Sequence, residues 1–345
     1  MESLRCHDVE VNTHASVCFQ SSKISPSTVL GNHSTITGFL LLGLPADPHI
    51  QVLLFALFLY IYLLTIMGNL MMMLVIRTDS HLHSPMYFFL SHLSFLDLCL
   101  TSVTVPKMLE NLLSQKKAIS VEGCLAQAFF VFSIAVTEIF VLSAMAYDRY
   151  NAICRPLLYG QVMRRQLCGG LVWASWGLGF LDGLVNILMA WDLDFCEAHV
   201  MPHFSCELPS LLSLTCSDVS SNFAVLVCAI IVHASGTLLL VFFSYVRIVT
   251  TILSIRSTTG RSKAFSTCSS HLTAVSFFYG SAFLRYLMPT LSSPLELVFS
   301  IQYCVVSPLV NPLVYSLKNK EVKAALKRML QKGLQHLTEQ RASRR

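Results

Sequence analysis

Seven long apolar stretches dominate this chain of 345 residues. Crossing the apolar core of a bilayer takes about 20 helical residues, and each stretch is long enough to do so. Only 12% of the residues are charged, about half the share found in soluble domains. The sequence therefore predicts an all-α membrane protein with seven transmembrane helices. The predicted spans are residues 50–76, 86–108, 125–149, 167–190, 222–250, 263–288 and 297–317.

The distribution of basic residues predicts how these spans are oriented. Lys and Arg concentrate in the loops after spans one, three and five and in the C-terminal tail. Because loops rich in Lys and Arg stay in the cytoplasm, we expect a plasma-membrane protein with its N-terminus outside and its C-terminus inside. Residues 50–317 then form the bundle, and residues 318–345 form a short amphipathic cytoplasmic helix with a basic tail.

Residues 1–49 precede the first span and are predicted to be a disordered extracellular segment. The first part is polar and rich in Ser, and it lacks the apolar core of a signal peptide. Asn32 begins an Asn-His-Ser sequon, so it is the predicted glycosylation site. Cys6 and Cys18 could pair, but nothing in the sequence requires it.

Four further cysteines lie on the predicted outer side, where the compartment is oxidising and disulfides persist. Four cysteines can pair in three ways, and the sequence alone does not choose among these. The four are Cys124, Cys196, Cys206 and Cys216.

Two acidic residues are predicted to lie inside the membrane, Asp97 in span two and Glu138 in span three. Counted at 1.5 Å per residue from the cytoplasmic end of each span, both lie roughly 16–18 Å deep. Ionising two facing carboxylates together carries a large cost in free energy. They therefore share a proton or hold a cation between them. Alternatively, each is protonated and hydrogen-bonded separately.

Glu138 also predicts which face of span three points inward. The seam positions are 131, 135, 138, 142, 145 and 149, spaced four and three residues apart. If Glu138 faces inward, the outer half of this seam does so too. That half is apolar and fits either a ligand cavity or packed core. It consists of Val131, Phe132, Ala135 and Val136.

The stretch MAYDRYNAIC (145–154) places Asp148 next to Arg149 where span three reaches the cytoplasm. Such a pair adds little stability, because desolvation offsets much of the Coulomb attraction. It is better suited to a releasable ion pair, which opens when Asp148 is protonated or Arg149 finds another acceptor. The alternative is an arginine that only extends its charge to the membrane surface.

Span seven contains PLVNP (308–312). Two prolines four residues apart interrupt the backbone hydrogen bonds, so this helix is expected to be irregular. An irregular helix at this depth fits a site of movement or a packing kink without function.

Eight stretches of the chain carry a resemblance, and their order makes it specific. They are LHSPMYFFLSHLSFLD (82–97), VPKMLENLLSQKKAIS (105–120), MAYDRYNAIC (145–154), HFSCELPSLLSLTCSD (203–218), SY (244–245), KAFSTCSSHL (263–272), FYG (278–280) and PLVNPLVYSLKNKEVKAAL (308–326). From about residue 32 to residue 330 the chain resembles the olfactory receptors, a rhodopsin-like branch of the G-protein-coupled receptors. VPKML and FYG are similar to the tetrapod-type class.

The resemblance implies two disulfides and one polar site in mid-membrane. The implied disulfides are Cys124–Cys206 and Cys196–Cys216. Asp97 and Glu138, with Asn69 and Asn311, match the site where related receptors hold a sodium ion. Sodium is therefore the only bound ion that the resemblance suggests, and we expect no cofactor.

The resemblance also implies coupling to a heterotrimeric stimulatory G protein of the olfactory type, with cyclic AMP as the output. Arg149, between Asp148 and Tyr150, matches the arginine that engages the G protein. Tyr245 and Tyr315 match partners that swing inward. Agonist-driven movement of span six and insertion of the G-protein C-terminus would then separate Asp148 from Arg149.

In this family the odorant cavity lies in the outer half, between spans three, five, six and seven. The positions implicated here are Val131, Phe132, Ala135, Val136, Ala229, His233, Tyr279, Ala282, Phe283 and Cys304. Tyr279 matches a position that changes rotamer, and His233 either donates a hydrogen bond to a ligand or contacts another helix. Val131 stands where amine receptors place Asp. The cavity is thus expected to bind small, uncharged, volatile molecules.

Three features depart from the family pattern. Asn151 stands where valine is usual, which could alter basal activity or coupling. HFSCE (203–207) stands where HFFCD is commoner, and the N-terminal segment is longer than usual. Metal binding by HFSCE is disfavoured because the implied disulfide occupies Cys206.

Other functions fit the sequence less well. A transporter would show repeated halves with matching broken segments, and an enzyme would carry a nucleophile signature; the sequence has neither. No aromatic-interleaved basic stripe suggests nucleic-acid binding. A receptor of the same build acting in a non-olfactory tissue fits equally well. The ligand, the oligomeric state and any dependence on trafficking chaperones do not follow from the sequence.

Overall fold

The computed structural model describes residues 38–45, 47–195, 200–287 and 294–343. Its helices form the predicted seven-span bundle. The spans are Pro48–Thr78, Pro85–Leu113, Val121–Cys154, Arg165–Trp191, Ser220–Ser254, Thr258–Leu287 and a composite seventh span of Pro294–Ile301, Gln302–Val306 and Ser307–Lys318. Asn32, Cys6 and Cys18 lie outside the described residues.

Within the described residues, six helices are both long and apolar enough to cross a membrane. The sixth span, Thr258–Leu287, is 30 residues long but more polar. At 1.5 Å per residue it is about 45 Å long, which exceeds the roughly 30 Å of the apolar core. The chain is therefore a multi-pass membrane protein.

The third span is the central helix of the bundle. In its most apolar 18-residue window 78% of the residues are buried, against 11% in the first span. Large apolar side chains on the outer faces, such as Leu53 and Val232, are mostly exposed. They face the region that lipid occupies in a membrane, whereas the polar side chains of the third span lie inside.

The third and fourth spans approach each other closely because two small residues of the fourth span face the third. A Cβ atom added at Gly179 would overlap Thr137 and the Ser133 carbonyl, and one at Gly183 would overlap the Ser133 hydroxyl. Small residues four apart are typical of close helix contacts in membranes. This contact fixes the rotation of the fourth span about its axis.

Local sequence explains where several helices begin. The Asp47 side chain accepts hydrogen bonds from the N–H groups of His49 (2.8 Å) and Ile50 (3.2 Å), and Pro48 occupies the first helical position. Ser120 accepts one from the Gly123 N–H at 3.1 Å. Such caps satisfy amides that have no partner within the helix.

The seventh span is irregular, as predicted, and the irregularity lies immediately before the first proline. Gln302–Val306 is a π-helical turn, whereas Pro312 lies within the regular helix that follows. A proline ring clashes with the carbonyl four residues earlier. For Pro308 that carbonyl belongs to Cys304, in the middle of the π turn.

A small three-stranded sheet, which the sequence did not predict, lies at one end of the bundle. Strand β1 (Gly38–Leu41) pairs antiparallel with β2 (Ala118–Ser120) and parallel with β3 (Val200–Met201). We call this the disulfide end, because Cys124 and Cys206 are joined there.

The opposite end carries the C-terminal helix Lys320–Ser343 and is called the tail end. The helix is 24 residues long, longer than the short helix expected. Val322 and Ala325 are buried against the bundle. Arg328 donates to Asp79 of the first loop at 2.7 Å. The helix is thus held by apolar contacts and an ion pair.

Asp79 is the acidic partner in that contact. Burial alone would raise its pKa, but hydrogen bonds from Arg328 and His81 outweigh burial and lower the pKa of Asp79 to about 2. The carboxylate therefore stays charged at every physiological pH.

Candidate functional site

The predicted Asp148–Arg149 pair is present at the tail end of the third span. Asp148 is fully buried and accepts hydrogen bonds from Arg149 Nε (3.0 Å) and Nη2. It also accepts one from the Tyr159 hydroxyl at 2.7 Å. Hydrogen bonds to an ionised acceptor are about twice as strong as neutral ones. Asp148 thus holds Arg149, and Tyr159 holds Asp148.

Tyr159 belongs to the short helix Tyr159–Val162, which follows the third span. Burial and the adjacent Asp148 carboxylate raise the pKa of Tyr159. Its hydroxyl therefore remains a neutral donor to Asp148. The sequence interpretation missed this partner, since a loop tyrosine eleven residues away carries no periodic signal.

Tyr245 and Tyr315, the predicted inward-swinging partners, are both buried and both interact electrostatically with Arg149. The Tyr245 hydroxyl lies 2.8 Å from His271 Nδ1. Among the described residues, the Tyr315 hydroxyl has no hydrogen-bond partner. Tyr150 is half-buried, and its ring lies under the Arg155 guanidinium at 5.4 Å.

A recess of about 640 Å³ opens at the tail end, with Arg149 in its wall. Thr258 and Ser262 of the sixth span and Asn319 and Lys320 of the tail also line it. The arginine held by Asp148 is therefore reachable from a cavity between the sixth span and the tail.

The predicted mid-membrane residues are brought together in the interior. Asp97, Glu138, Asn69 and Asn311 are all buried. Asn311 Nδ2 donates to both Asp97 oxygens, at 3.1 and 3.2 Å. Asn69 Nδ2 donates to the Pro308 carbonyl at 2.9 Å. These amides tie the second and first spans to the proline region of the seventh.

Asp97 and Glu138 lie close enough to interact electrostatically, and Glu138 also interacts with the Tyr303 hydroxyl. Two interacting carboxylates suit either a shared proton or a hard cation that prefers oxygen ligands.

The predicted odorant-binding positions divide by burial. Val131, Phe132, Val136 and Cys304 are buried, whereas Ala135, Ala229, His233 and Tyr279 are half-buried. The side chains of Ala282 and Phe283 lie outside those that the structure describes. The Tyr279 hydroxyl donates to Thr237 Oγ1 at 2.7 Å, which connects the sixth span to the fifth.

The disulfide end is cross-linked as the resemblance implied. Cys124 and Cys206 form a disulfide with a Cα–Cα distance of 5.3 Å. Cys216 is also disulfide-bonded, and Cys196 lies outside the described residues. Gln127 reinforces the closure, since its Oε1 accepts from the Cys206 N–H at 2.7 Å. HFSCE therefore offers no thiol to a metal.

Comparison with known proteins identifies the family. The family profile described as "Olfactory receptor" matches residues 58–333. The chain belongs to the olfactory receptor family. Human olfactory receptor 8S1 is 68% identical over 85% of this chain and 82% of its own. Mouse olfactory receptor 5G9 is 48% identical over 88% of this chain and 97% of its own.

A solved structure supports the fold. Squid rhodopsin superposes with a TM-score of 0.65 at 17% identity, over 84% of this chain and 87% of its own. The olfactory receptor described here is thus a rhodopsin-like, odorant-sensing G-protein-coupled receptor and not an enzyme.

Asp182, which sequence analysis of this olfactory receptor missed, is the partner of His233. His233 Nδ1 lies 3.0 Å from Asp182 Oδ2, and the Phe140 ring lies 5.2 Å from the imidazole. His233 therefore contacts the fourth span, the helix contact that was one of the two alternatives for this residue. Its Nδ1 faces an acid already present in the protein.

His271 is a second missed residue, although it lies within the KAFSTCSSHL stretch. A carbonyl only accepts, so His271 Nε2 carries a hydrogen and donates to the Leu142 carbonyl at 2.9 Å, while Nδ1 contacts the Tyr245 hydroxyl. The imidazole joins spans three, five and six. An ionisable side chain inside a span was the signal that could have identified it.

Proposed function

We propose that this receptor lies in the plasma membrane with its disulfide end outside and its tail end in the cytoplasm. It binds small uncharged odorants between spans three, five, six and seven, in the half nearer the disulfide end. Binding activates a stimulatory G protein of the olfactory type and raises cyclic AMP. The orientation rests on the basic loops and on the disulfide, which requires an oxidising compartment.

The observation that carries the coupling proposal is the position of Arg149. Its guanidinium is held by the buried Asp148 and also lines the 640 Å³ recess. Thr258 and Ser262 of the sixth span form part of that recess, so an outward movement of this span widens it. A G-protein segment that enters then offers Arg149 a new acceptor, and the Asp148 pair opens.

The ligand proposal rests on the character of the third span. Val131, Phe132 and Val136 present no charge to an incoming molecule. An apolar wall with few neutral donors favours molecules that bind through buried area and one or two hydrogen bonds. The Tyr279–Thr237 hydrogen bond offers such donors where the fifth and sixth spans meet.

Cyclic AMP accumulation tests the coupling. Cells would express the receptor, the olfactory-type G protein and trafficking helpers, and a panel of volatiles would be applied. Wild type should give a saturable response, Arg149→Ala should lose it at normal surface level, and Arg164→Ala, an exposed arginine of the adjacent loop, should keep it. A full response from Arg149→Ala would overturn the coupling role.

A silent wild-type receptor at good surface level has two causes that Asn151→Val separates. Recovery of the response in Asn151→Val would show that Asn151 uncouples this receptor. Continued silence would mean that the panel lacks its ligand.

The mid-membrane acids are proposed to hold one sodium ion. Asp97 and Glu138 would supply its carboxylate ligands. Purified receptor should melt at a higher temperature in sodium chloride than in choline chloride, and Asp97→Asn should abolish that difference. Equal melting of wild type in both salts would instead favour a shared proton.

A further inference from the structure

A groove of about 870 Å³ lies on the outer surface of the bundle near the tail end, between the first, second and fourth spans. It plays no part in the odorant or coupling sites described above. Its volume lies in the range typical of small-molecule sites.

The wall of the groove is apolar and faces outward. Leu70 and Leu74 of the first span are each 49% exposed, and Phe88 of the second span is 38% exposed. From Leu70 to Arg77 the first span rises about 10 Å. This wall therefore runs from the tail end into the depth where acyl chains lie.

The mouth of the groove is basic. Arg77 ends the first span, Arg165 begins the fourth, and His83 lies in the loop between the first two spans. Within the described part of the chain neither arginine has an ion-pair partner. Asp79 is the acid nearest in sequence, and Arg328 and His81 already occupy it.

The fourth span adds to this positive charge. It begins at Arg165, and no side chain caps its first turn. The amides of an uncapped first turn, with the helix dipole, favour an anion. Arg77, Arg165 and this first turn thus act on the same groove.

We propose that this groove binds one anionic phospholipid. Arg77 and Arg165 contact its phosphate, and an acyl chain lies along Leu70, Leu74 and Phe88. Guanidinium groups bind phosphate oxygens in a bidentate manner, and two cations without acidic partners favour a lipid of net negative charge. A sterol would bury the apolar wall equally well but would leave both guanidinium groups without an anion.

Native mass spectrometry of the purified full-length receptor tests the proposal. Dioleoyl phosphatidylserine and dioleoyl phosphatidylcholine would be titrated separately, and the number of retained lipids counted. Wild type should retain one phosphatidylserine in preference to phosphatidylcholine. Replacing both arginines, as Arg77→Gln with Arg165→Gln, should weaken phosphatidylserine binding about 25-fold, since each cation near a lipid surface contributes about fivefold.

Matched variants separate this site from general surface charge. Arg247→Gln with Arg256→Gln removes two exposed arginines outside the groove and should leave the affinity unchanged. Arg77→Lys with Arg165→Lys should retain most of it. Leu70→Trp fills the apolar wall and should weaken phosphatidylserine binding while both arginines remain.

Three results would overturn the proposal. The first is that wild type retains the two lipids equally. The second is that the groove variant and the control arginine variant lose phosphatidylserine binding to the same extent. The third is that cholesterol displaces phosphatidylserine and that neither arginine substitution changes the binding. The last result would identify a sterol groove. Melting temperature would be measured for every variant, so that a misfolded protein is not counted as a loss of binding.

Discussion

At the disulfide end, Cys124 and Cys206 are joined covalently, and the Gln127 side chain holds the Cys206 amide. At the tail end, the corresponding contacts are hydrogen bonds and ion pairs, as between Asp148 and Arg149. A covalent link keeps one shape, whereas an ion pair separates when a better partner arrives. The covalent contacts suit the disulfide end to hold a binding cavity of constant shape. The ion pairs suit the tail end to change conformation.

The largest effect is expected when the disulfide between Cys124 and Cys206 is removed. Cys124→Ser and Cys206→Ser should each block surface delivery to the same extent, because loss of a native disulfide costs about 2–5 kcal/mol. Surface antibody labelling would measure this. Cys228→Ser, which removes an exposed thiol, is the control. A defect in only one of the two variants would contradict a shared disulfide.

The next effect concerns the hydrogen bonds of the tail end. Tyr245→Phe leaves the buried His271 Nδ1 without its hydrogen-bond partner, which costs about 1–3 kcal/mol, and should lower the melting temperature by several degrees. His271→Phe should do the same. Because the two side chains share one bond, the double variant should lose less than the sum of the singles. Additive losses would show that the contact contributes no stability.

A smaller effect is expected for the contact between Asp79 and Arg328. Since the pKa of Asp79 falls from 3.8 to about 2 on folding, this contact contributes fully above about pH 4 and is lost as the pH falls through 2. A spin label at Lys327→Cys should therefore show constant mobility from pH 8 to pH 5. Asp79→Asn should increase that mobility at pH 7. A change in the wild-type spectrum near pH 6 would point to a different group.

The smallest effect is expected at Asn151, which is buried in the third span. Its Nδ2 donates to the Tyr147 carbonyl at 2.8 Å, and its Oδ1 has no partner among the described residues. Asn151→Val removes the unsatisfied oxygen together with one hydrogen bond, so stability should change by no more than about 1 kcal/mol. Calorimetry would measure it. A large loss would mean that the amide has a structural role.

The sequence predicted the features that depend on local chemistry. Span positions followed from apolar length, and the irregularity of the seventh span followed from Pro308, whereas Pro312 lies within a regular helix. A common depth for Asp97 and Glu138 was predicted from helical rise, and the structure brings the two acids within electrostatic reach.

Features that depend on helix rotation and on long-range pairing could not be predicted in the same way. Asp182 meets His233 across two different spans, and the rotation of the fourth span, which Gly179 and Gly183 set against the third, does not follow from apolar length. The three strands are two to four residues long, too short for a pattern of alternation. Tyr159 contacts Asp148, and Arg328 contacts Asp79. Both contacts depend on how a loop and the tail helix fold, and no periodic sequence pattern predicts them.

The Asp182–His233 contact has a consequence for biosynthesis. The fourth span has the lowest mean hydropathy of the six apolar helices, 1.4, and a carboxylate within it adds about 2.5–3.5 kcal/mol to the cost of insertion. Its partner is made only after the whole loop that follows has been translated, at about 5–20 residues per second. For those seconds the ribosome and translocon hold a nascent chain whose fourth helix lacks the contact partner of Asp182.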